Sequence, residues 1–175
     1  IMDGPPALTL GLEKPAGNLL KEKPKKRTDN LVDKKTALKI ALSAVYITAA
    51  TTLQLLTNFM NVPQNEISTS VFSLFVTLQL FNSLNCRKTG AESVFEDFFG
   101  NKPMLIAFAL AAAVQLLITQ LFGSLFETVP LSLPTIGKML LVSFGVIAVS
   151  EIAKLVYLLL FKKRNKRSLK LSYMS

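Results

Sequence analysis

The sequence predicts an all-α membrane protein, in which the second half of a broken transmembrane helix is followed by four transmembrane helices. Three observations predict it. Half of the 175 residues are hydrophobic and mean hydropathy is +0.42. The apolar residues gather in runs of about 20, the length that crosses a bilayer, instead of recurring at helical or strand period around one core. Lys and Arg occupy alternate connections between those runs, the pattern left when one set of loops stays on the cytoplasmic side.

The runs cover 36–60, 67–84, 103–122 and 136–161, and Gly and Pro are nearly confined to their ends. A segment in hydrocarbon must satisfy its own backbone hydrogen bonds, so each run predicts a helix. A β-barrel would need strands of about ten residues alternating in polarity, and no such alternation is present. No repeat relates the four runs, so the inverted-repeat transporter pattern is not supported.

The basic residues divide unevenly. Lys14, Lys21, Lys23, Lys25, Lys26, Arg27, Lys34 and Lys35 precede the first full run; Arg87, Lys88 and Lys102 lie between the second and third. Lys162, Lys163, Arg164, Lys166, Arg167 and Lys170 follow the fourth, while the connections 61–66 and 123–135 hold neither Lys nor Arg. Both chain ends are therefore expected in the cytoplasm of a multi-pass protein of a plasma or inner membrane. A nucleic-acid surface would instead gather base-stacking aromatics among basic residues on one folded face, so the net charge of +9 is assigned to membrane lipid.

Cys86 is the single cysteine and there is no His, which removes a disulfide framework, thiolate metal clusters and the commonest general base. No phosphate loop or nucleophile elbow is present, so no catalytic residue and no ATP site are assigned within this chain.

At the start, Ile1-Met2-Asp3-Gly4-Pro5-Pro6 places a carboxylate directly before a helix breaker. A carboxylate at mid-membrane costs about 3 kcal/mol on the insertion scale, so it needs a functional partner. Hard cations such as Ca²⁺ take six to eight oxygen ligands, which a carboxylate and freed backbone carbonyls supply. Asp3 is the candidate metal ligand, with capping of an interfacial helix as its bland alternative. Because no anchor precedes Ile1, the chain is expected to continue a longer ion transporter. A charged, proline-punctuated loop follows over 13–35, and Asp33 or Thr36 is expected to cap the next helix.

Ser43, Thr48, Thr51, Thr52 and Gln54 are placed to hydrogen-bond neighbouring helices. Gln79, Asn82 and Asn85, three apart, share one face near the end of the second run. Gln79 is read either as a neutral residue beside the ion path or as an interhelical hydrogen bond; Asn82 and Asn85 are read as structural. Residues 92–100 predict a short amphipathic segment with Phe95, Phe98 and Phe99 on its apolar side. The third run carries the small-residue ladders Ala107, Ala111 and Ala109, Ala113. In the fourth, Glu151 and Lys154 lie three apart, which predicts an intrahelical ion pair over a proton path.

Laid out in this way, the chain resembles the C-terminal part of the P-type calcium-transporting ATPases, from within the sixth transmembrane helix to the tenth. Ile1-Met2-Asp3 is similar to the family's sixth-helix segment, whose Asp ligates transported Ca²⁺, and Gly4-Pro5-Pro6-Ala7 is a similar continuation. The run Leu78-Gln79-Leu80-Phe81-Asn82-Ser83-Leu84-Asn85-Cys86-Arg87-Lys88, with Gly90-Ala91-Glu92-Ser93-Val94-Phe95, resembles the eighth helix and following loop of the plasma-membrane type. The subfamily assignment rests on Gln79, where the sarcoplasmic-reticulum type carries a Glu that helps bind a second Ca²⁺.

The resemblance implies the second half of the sixth helix over 1–12, a cytoplasmic basic loop over 13–35, helices seven to ten over 36–161 and a basic cytoplasmic tail over 162–175. It implies Ca²⁺ as transported ion, moved out of the cytoplasm. ATP and Mg²⁺ would act only in upstream domains, which would be this segment's partner within one pump. The long calmodulin-binding tail of the animal pumps is replaced here by a short basic one, which argues against calmodulin as a partner. Two other readings stay open: a free-standing four-helix scaffold or regulatory subunit, and the same segment of a pump for Mn²⁺ or for Na⁺/H⁺.

Overall fold

The computed structural model describes residues 4–12, 34–87, 94–95 and 98–172, and it is helical with no strand among them. Helix α1 runs Gly4–Leu10. Its Pro5 and Pro6 sit in the first turn, where a missing N–H costs nothing and the fixed φ suits the helix. It closes through Gly11 N–H to Leu8 O at 3.2 Å and Leu12 N–H to Thr9 O at 3.1 Å.

Helix α2 (Lys34–Thr57) ends at Asn58, whose φ of 45° is the left-handed conformation that Asn tolerates well. The Asn58 side chain then clamps the turn, donating to Val62 O at 2.7 Å and accepting from Val62 N–H at 2.9 Å. Thr36 lies within α2 and does not cap it; Asp33 lies outside the described residues. Pro63 opens a 3₁₀ turn over Gln64–Glu66 that leads into α3 (Ile67–Asn85).

Helix α4 (Lys102–Leu121) has a side-chain cap: Asn101 Oδ1 accepts from Met104 N–H at 3.0 Å, with a proline in the first turn. A single turn, α5 (Gly123–Phe126), reverses the chain through Thr128 N–H to Gly123 O at 3.0 Å. A Cβ at Gly123 would lie 2.4 Å from the Thr128 carbonyl oxygen, so the reversal needs glycine there. Helix α6 (Leu133–Ser172) completes the chain.

Four helices are long and apolar enough to cross a membrane: Thr36–Thr57, Gln64–Asn85, Lys102–Leu121 and Leu133–Val156. All four expected runs are therefore helices, with ends shifted by a few residues. Helix α3 is the central one, with 39% of its apolar window buried against 22–28% in the others. It packs on α2, α4 and α6; α2 also packs on α6, and α1 lies along α4 and touches α3. Leu74, Leu78, Met104, Val94 and Val146 form the fully buried centre.

The surface is as apolar as the interior. Leu56, Leu110, Leu116 and Leu141 point outward, while Gln54, Ser70, Ser73, Gln115, Thr119 and Ser143 are buried. This polarity fits lipid, which is as apolar as a leucine core and leaves polar groups to find each other between helices.

Several sequence expectations resolve differently. Thr48 and Thr52 face outward, and Thr51 donates back to Ile47 O at 2.8 Å, so of the threonines predicted to bridge helices none does. Gln54 does bridge, donating to Ser70 Oγ on α3 at 3.3 Å. Only the Ala107, Ala111 ladder is buried; Ala109 and Ala113 are exposed, because they lie on the opposite face of α4. Within 92–100 the described part is a turn at Val94 and Phe95 and a 3₁₀ turn over Phe98–Gly100. Val94 is the buried residue of that turn, while Phe95 and Phe99 are exposed.

Candidate functional site: the polar face of the central helix and its two ends

Asp3, the predicted metal ligand, lies outside the described residues. Its chain neighbour Gly4 opens α1, which two contacts hold to the bundle. Asn101, only 3% exposed, donates its Nδ2 to Thr9 O at 3.0 Å, and Leu10 packs against the core. One residue thus caps α4 and ties α1 to it.

On α3 the three predicted polar residues separate into two kinds. Gln79 and Asn82 are half-buried and make no hydrogen bond among the described residues. Asn85 is 1% exposed and joins three helices. Its Nδ2 donates to Val146 O on α6 at 3.2 Å, and its backbone carbonyl accepts from Lys39 Nζ on α2. Asn85 thus ties α3 to both α6 and α2, while Gln79 and Asn82 keep their side-chain polarity available to a neighbour.

Glu151 and Lys154 form the expected i, i+3 ion pair at 2.8 Å. Glu151 Oε1 also accepts from Val94 N–H at 3.0 Å, so the carboxylate holds the turn after α3 against α6. Lys39 stands less than one turn into the first apolar run, and its spacing alone names no partner for it. Its contact with Asn85 is 46 residues away along the chain.

The opposite end of the bundle holds a second polar junction that the sequence did not disclose. Glu66, 7% exposed, accepts at Oε2 from Ser132 N–H at 3.1 Å, Ser132 Oγ at 3.2 Å and Thr135 Oγ1 at 2.9 Å. Ser132 directly precedes α6, and Ile136 N–H to Ser132 O begins that helix, so Glu66 caps α6 from a distance and meets the positive end of its dipole. Beside it, Lys138 Nζ donates to Met60 O at 2.6 Å. The bundle is thus closed at each end by a buried or half-buried carboxylate with built-in donors. Among the described residues no group of three or more His, Cys, Asp or Glu is arranged to hold a metal ion.

Residues 1–156 match the protein family described as cation transporting ATPase, C-terminus. The chain belongs to that family. Among similar proteins, the calcium-transporting ATPase 1 of Saccharomyces cerevisiae is 32% identical over 161 residues, covering 89% of this chain and 17% of the relative. The calcium-transporting ATPase type 2C member 2 of Rattus norvegicus is 31% identical over 163 residues, with 89% and 17% covered. The probable calcium-transporting ATPase 6, plasma membrane-type, of Oryza sativa is 28% identical over 162 residues, with 89% and 16% covered.

This chain spans about a sixth of the length of those relatives. The identities, 32%, 31% and 28%, lie too close together to single out the plasma-membrane type, so the family is established and the subfamily read from Gln79 is not. Family membership and the four apolar helices make the chain an integral membrane protein.

Proposed function

We propose that this chain supplies the C-terminal transport helices of an ATP-driven Ca²⁺ pump. The observation that carries the reading is the family match over 1–156, joined to relatives that are named calcium-transporting ATPases. In this reading α1 is the second half of the sixth transmembrane helix, and α2, α3, α4 and α6 are helices seven to ten. Asp3 ligates Ca²⁺ at the break before Gly4. Asn101 holds α1 on α4, which gives that half-helix a fixed footing while upstream helices move.

The Lys/Arg alternation supports a topology with both ends cytoplasmic and the Glu66 junction on the far side. In this reading Ca²⁺ moves out of the cytoplasm. Gln79, neutral and without a hydrogen-bond partner among the described residues, supports a single ion per cycle, as in the plasma-membrane type. ATP and Mg²⁺ act in upstream domains of the same pump, and the basic residues beyond position 161 rest on anionic lipid.

The test is Asp3→Asn in the intact pump, read as Ca²⁺-dependent phosphoenzyme formation from ATP. Loss of Ca²⁺ dependence supports ligation, and normal dependence removes Asp3 from the site. Competition by Mn²⁺ or Na⁺ in the same assay decides the ion, since Mn²⁺ accepts similar oxygen ligands.

A further inference from the structure

A cavity of about 140 Å³ lies between α3, α4 and α6, walled mostly by apolar side chains. Its volume is close to that of a buried apolar cavity known to take a benzene ring, about 150 Å³. Phe81 and Phe108 meet edge to face across its wall, with ring centroids 5.6 Å apart. They offer an aromatic ligand the same edge and face contacts.

One polar group in this wall is not satisfied. Gln115 is 4% exposed and lines the cavity; its Nε2 donates to Ser73 Oγ at 3.4 Å, but its Oε1 is buried with no partner. An unpaired buried acceptor forfeits its solvation, which a donor arriving with a ligand would recover. The neighbouring hydroxyls do not supply that donor. Thr77 Oγ1 is spent on Ser73 O at 2.7 Å, and Thr119 Oγ1 on Gln115 O at 3.0 Å. Ser73 has received the Gln115 N–H and has no acceptor for its own proton among the described residues. The cavity therefore offers one acceptor without a donor and one donor without an acceptor, side by side in an apolar chamber. A hydroxyl on a small ring satisfies both.

The depth also suits such a ligand. Gln115 lies six residues from the Leu121 end of α4, and Ser73 six residues into α3, so each is roughly 9 Å from the helix end. An apolar alcohol partitioned into the membrane reaches that depth. We propose that this cavity is a binding site for a phenol-class ligand, an aromatic ring bearing one hydroxyl that donates to Gln115 Oε1 and accepts from Ser73. The site is independent of the ion path and of the proposed transport.

The test uses the intact protein in lipid nanodiscs, with 4-fluorophenol and fluorobenzene as probes followed by ¹⁹F NMR. Expected is saturable binding of 4-fluorophenol at least about fivefold tighter than fluorobenzene, a margin of roughly 1 kcal/mol. Gln115→Leu should abolish that preference while leaving fluorobenzene bound. Ala112→Phe, which fills the chamber, should remove both signals. Thr77→Val, nearly isosteric and without a role in the ligand's hydrogen bonds, should keep the preference and so serves as the folded control. Equal affinities, or signals unchanged by Ala112→Phe because the probes only partition into lipid, would overturn the proposal. So would no binding at all, as when water or an acyl chain occupies the cavity.

Discussion

Tyr46 of α2 lies over Gly145 of α6 so closely that a Cβ at position 145 would stand 2.0 Å from the Tyr46 hydroxyl oxygen and 2.9 Å from its ring carbon. The same hydroxyl donates to Val142 O at 2.8 Å, one turn earlier on α6. Glycine thus sets the α2–α6 approach and the tyrosine fastens it.

Gly145→Ala should therefore force the ring aside and destabilise the bundle by about 1–3 kcal/mol. Tyr46→Ala removes the obstacle, so adding Gly145→Ala to it should cost much less than Gly145→Ala alone. The measurement is a double-mutant cycle on reversible unfolding of the protein in mixed micelles. Additive losses would mean that the two side chains do not meet.

Glu66 organises the other junction, and its removal should be felt on α6, 66 residues away from it along the chain. Glu66→Ala strands the Ser132 N–H and leaves the Ser132 and Thr135 hydroxyls to each other, 2.8 Å apart. A loss of about 2 kcal/mol is expected, with Glu66→Gln milder because its amide oxygen still accepts. Hydrogen exchange localises the effect: the amides of 132–136 should exchange faster in Glu66→Ala. Unchanged protection there would remove the remote cap.

The spans are legible because lipid imposes a simple requirement: about 20 predominantly apolar residues with few charges to desolvate. The inward faces are not. Leu74 is fully buried and Leu56 is 74% exposed, yet both are leucines in apolar runs. Packing distinguishes them, and hydropathy does not. Ala107, Ala111 and Ala109, Ala113 are the same pattern read on two faces, of which α4 uses one. The local pair Glu151–Lys154 was legible from its spacing, whereas Glu66–Thr135, Lys39–Asn85 and Glu151–Val94 depend on which helices become neighbours.

Glu151 makes one such contact, and it separates two roles for the carboxylate. If its work is to hold Val94 N–H at 3.0 Å, Glu151→Gln should keep the turn in place through the amide oxygen, and Glu151→Ala should release it. The expected readout is faster exchange of the Val94 amide in Glu151→Ala alone, with transport by the proposed pump preserved in Glu151→Gln. Loss of transport in Glu151→Gln would instead return the residue to a proton path.

Gln79 and Asn85 lie six residues apart on α3, about 120° around its axis, and their surroundings predict opposite responses. Asn85 is buried, holds Val146 O at 3.2 Å, and sits where Lys39 reaches across from α2. Asn85→Ala leaves the Val146 carbonyl with its helical bond only and opens a small void among three helices, so a loss of about 1–2 kcal/mol is expected. Gln79 is half-buried and unpartnered among the described residues, so Gln79→Ala should change stability by less than about 0.5 kcal/mol. Transport then distinguishes a bystander from a residue of the ion path. In the proposed pump, Gln79→Ala should raise the Ca²⁺ concentration for half-maximal phosphoenzyme formation while the unfolding midpoint stays put. A destabilised Gln79→Ala with unaltered Ca²⁺ dependence would make the residue an interhelical contact.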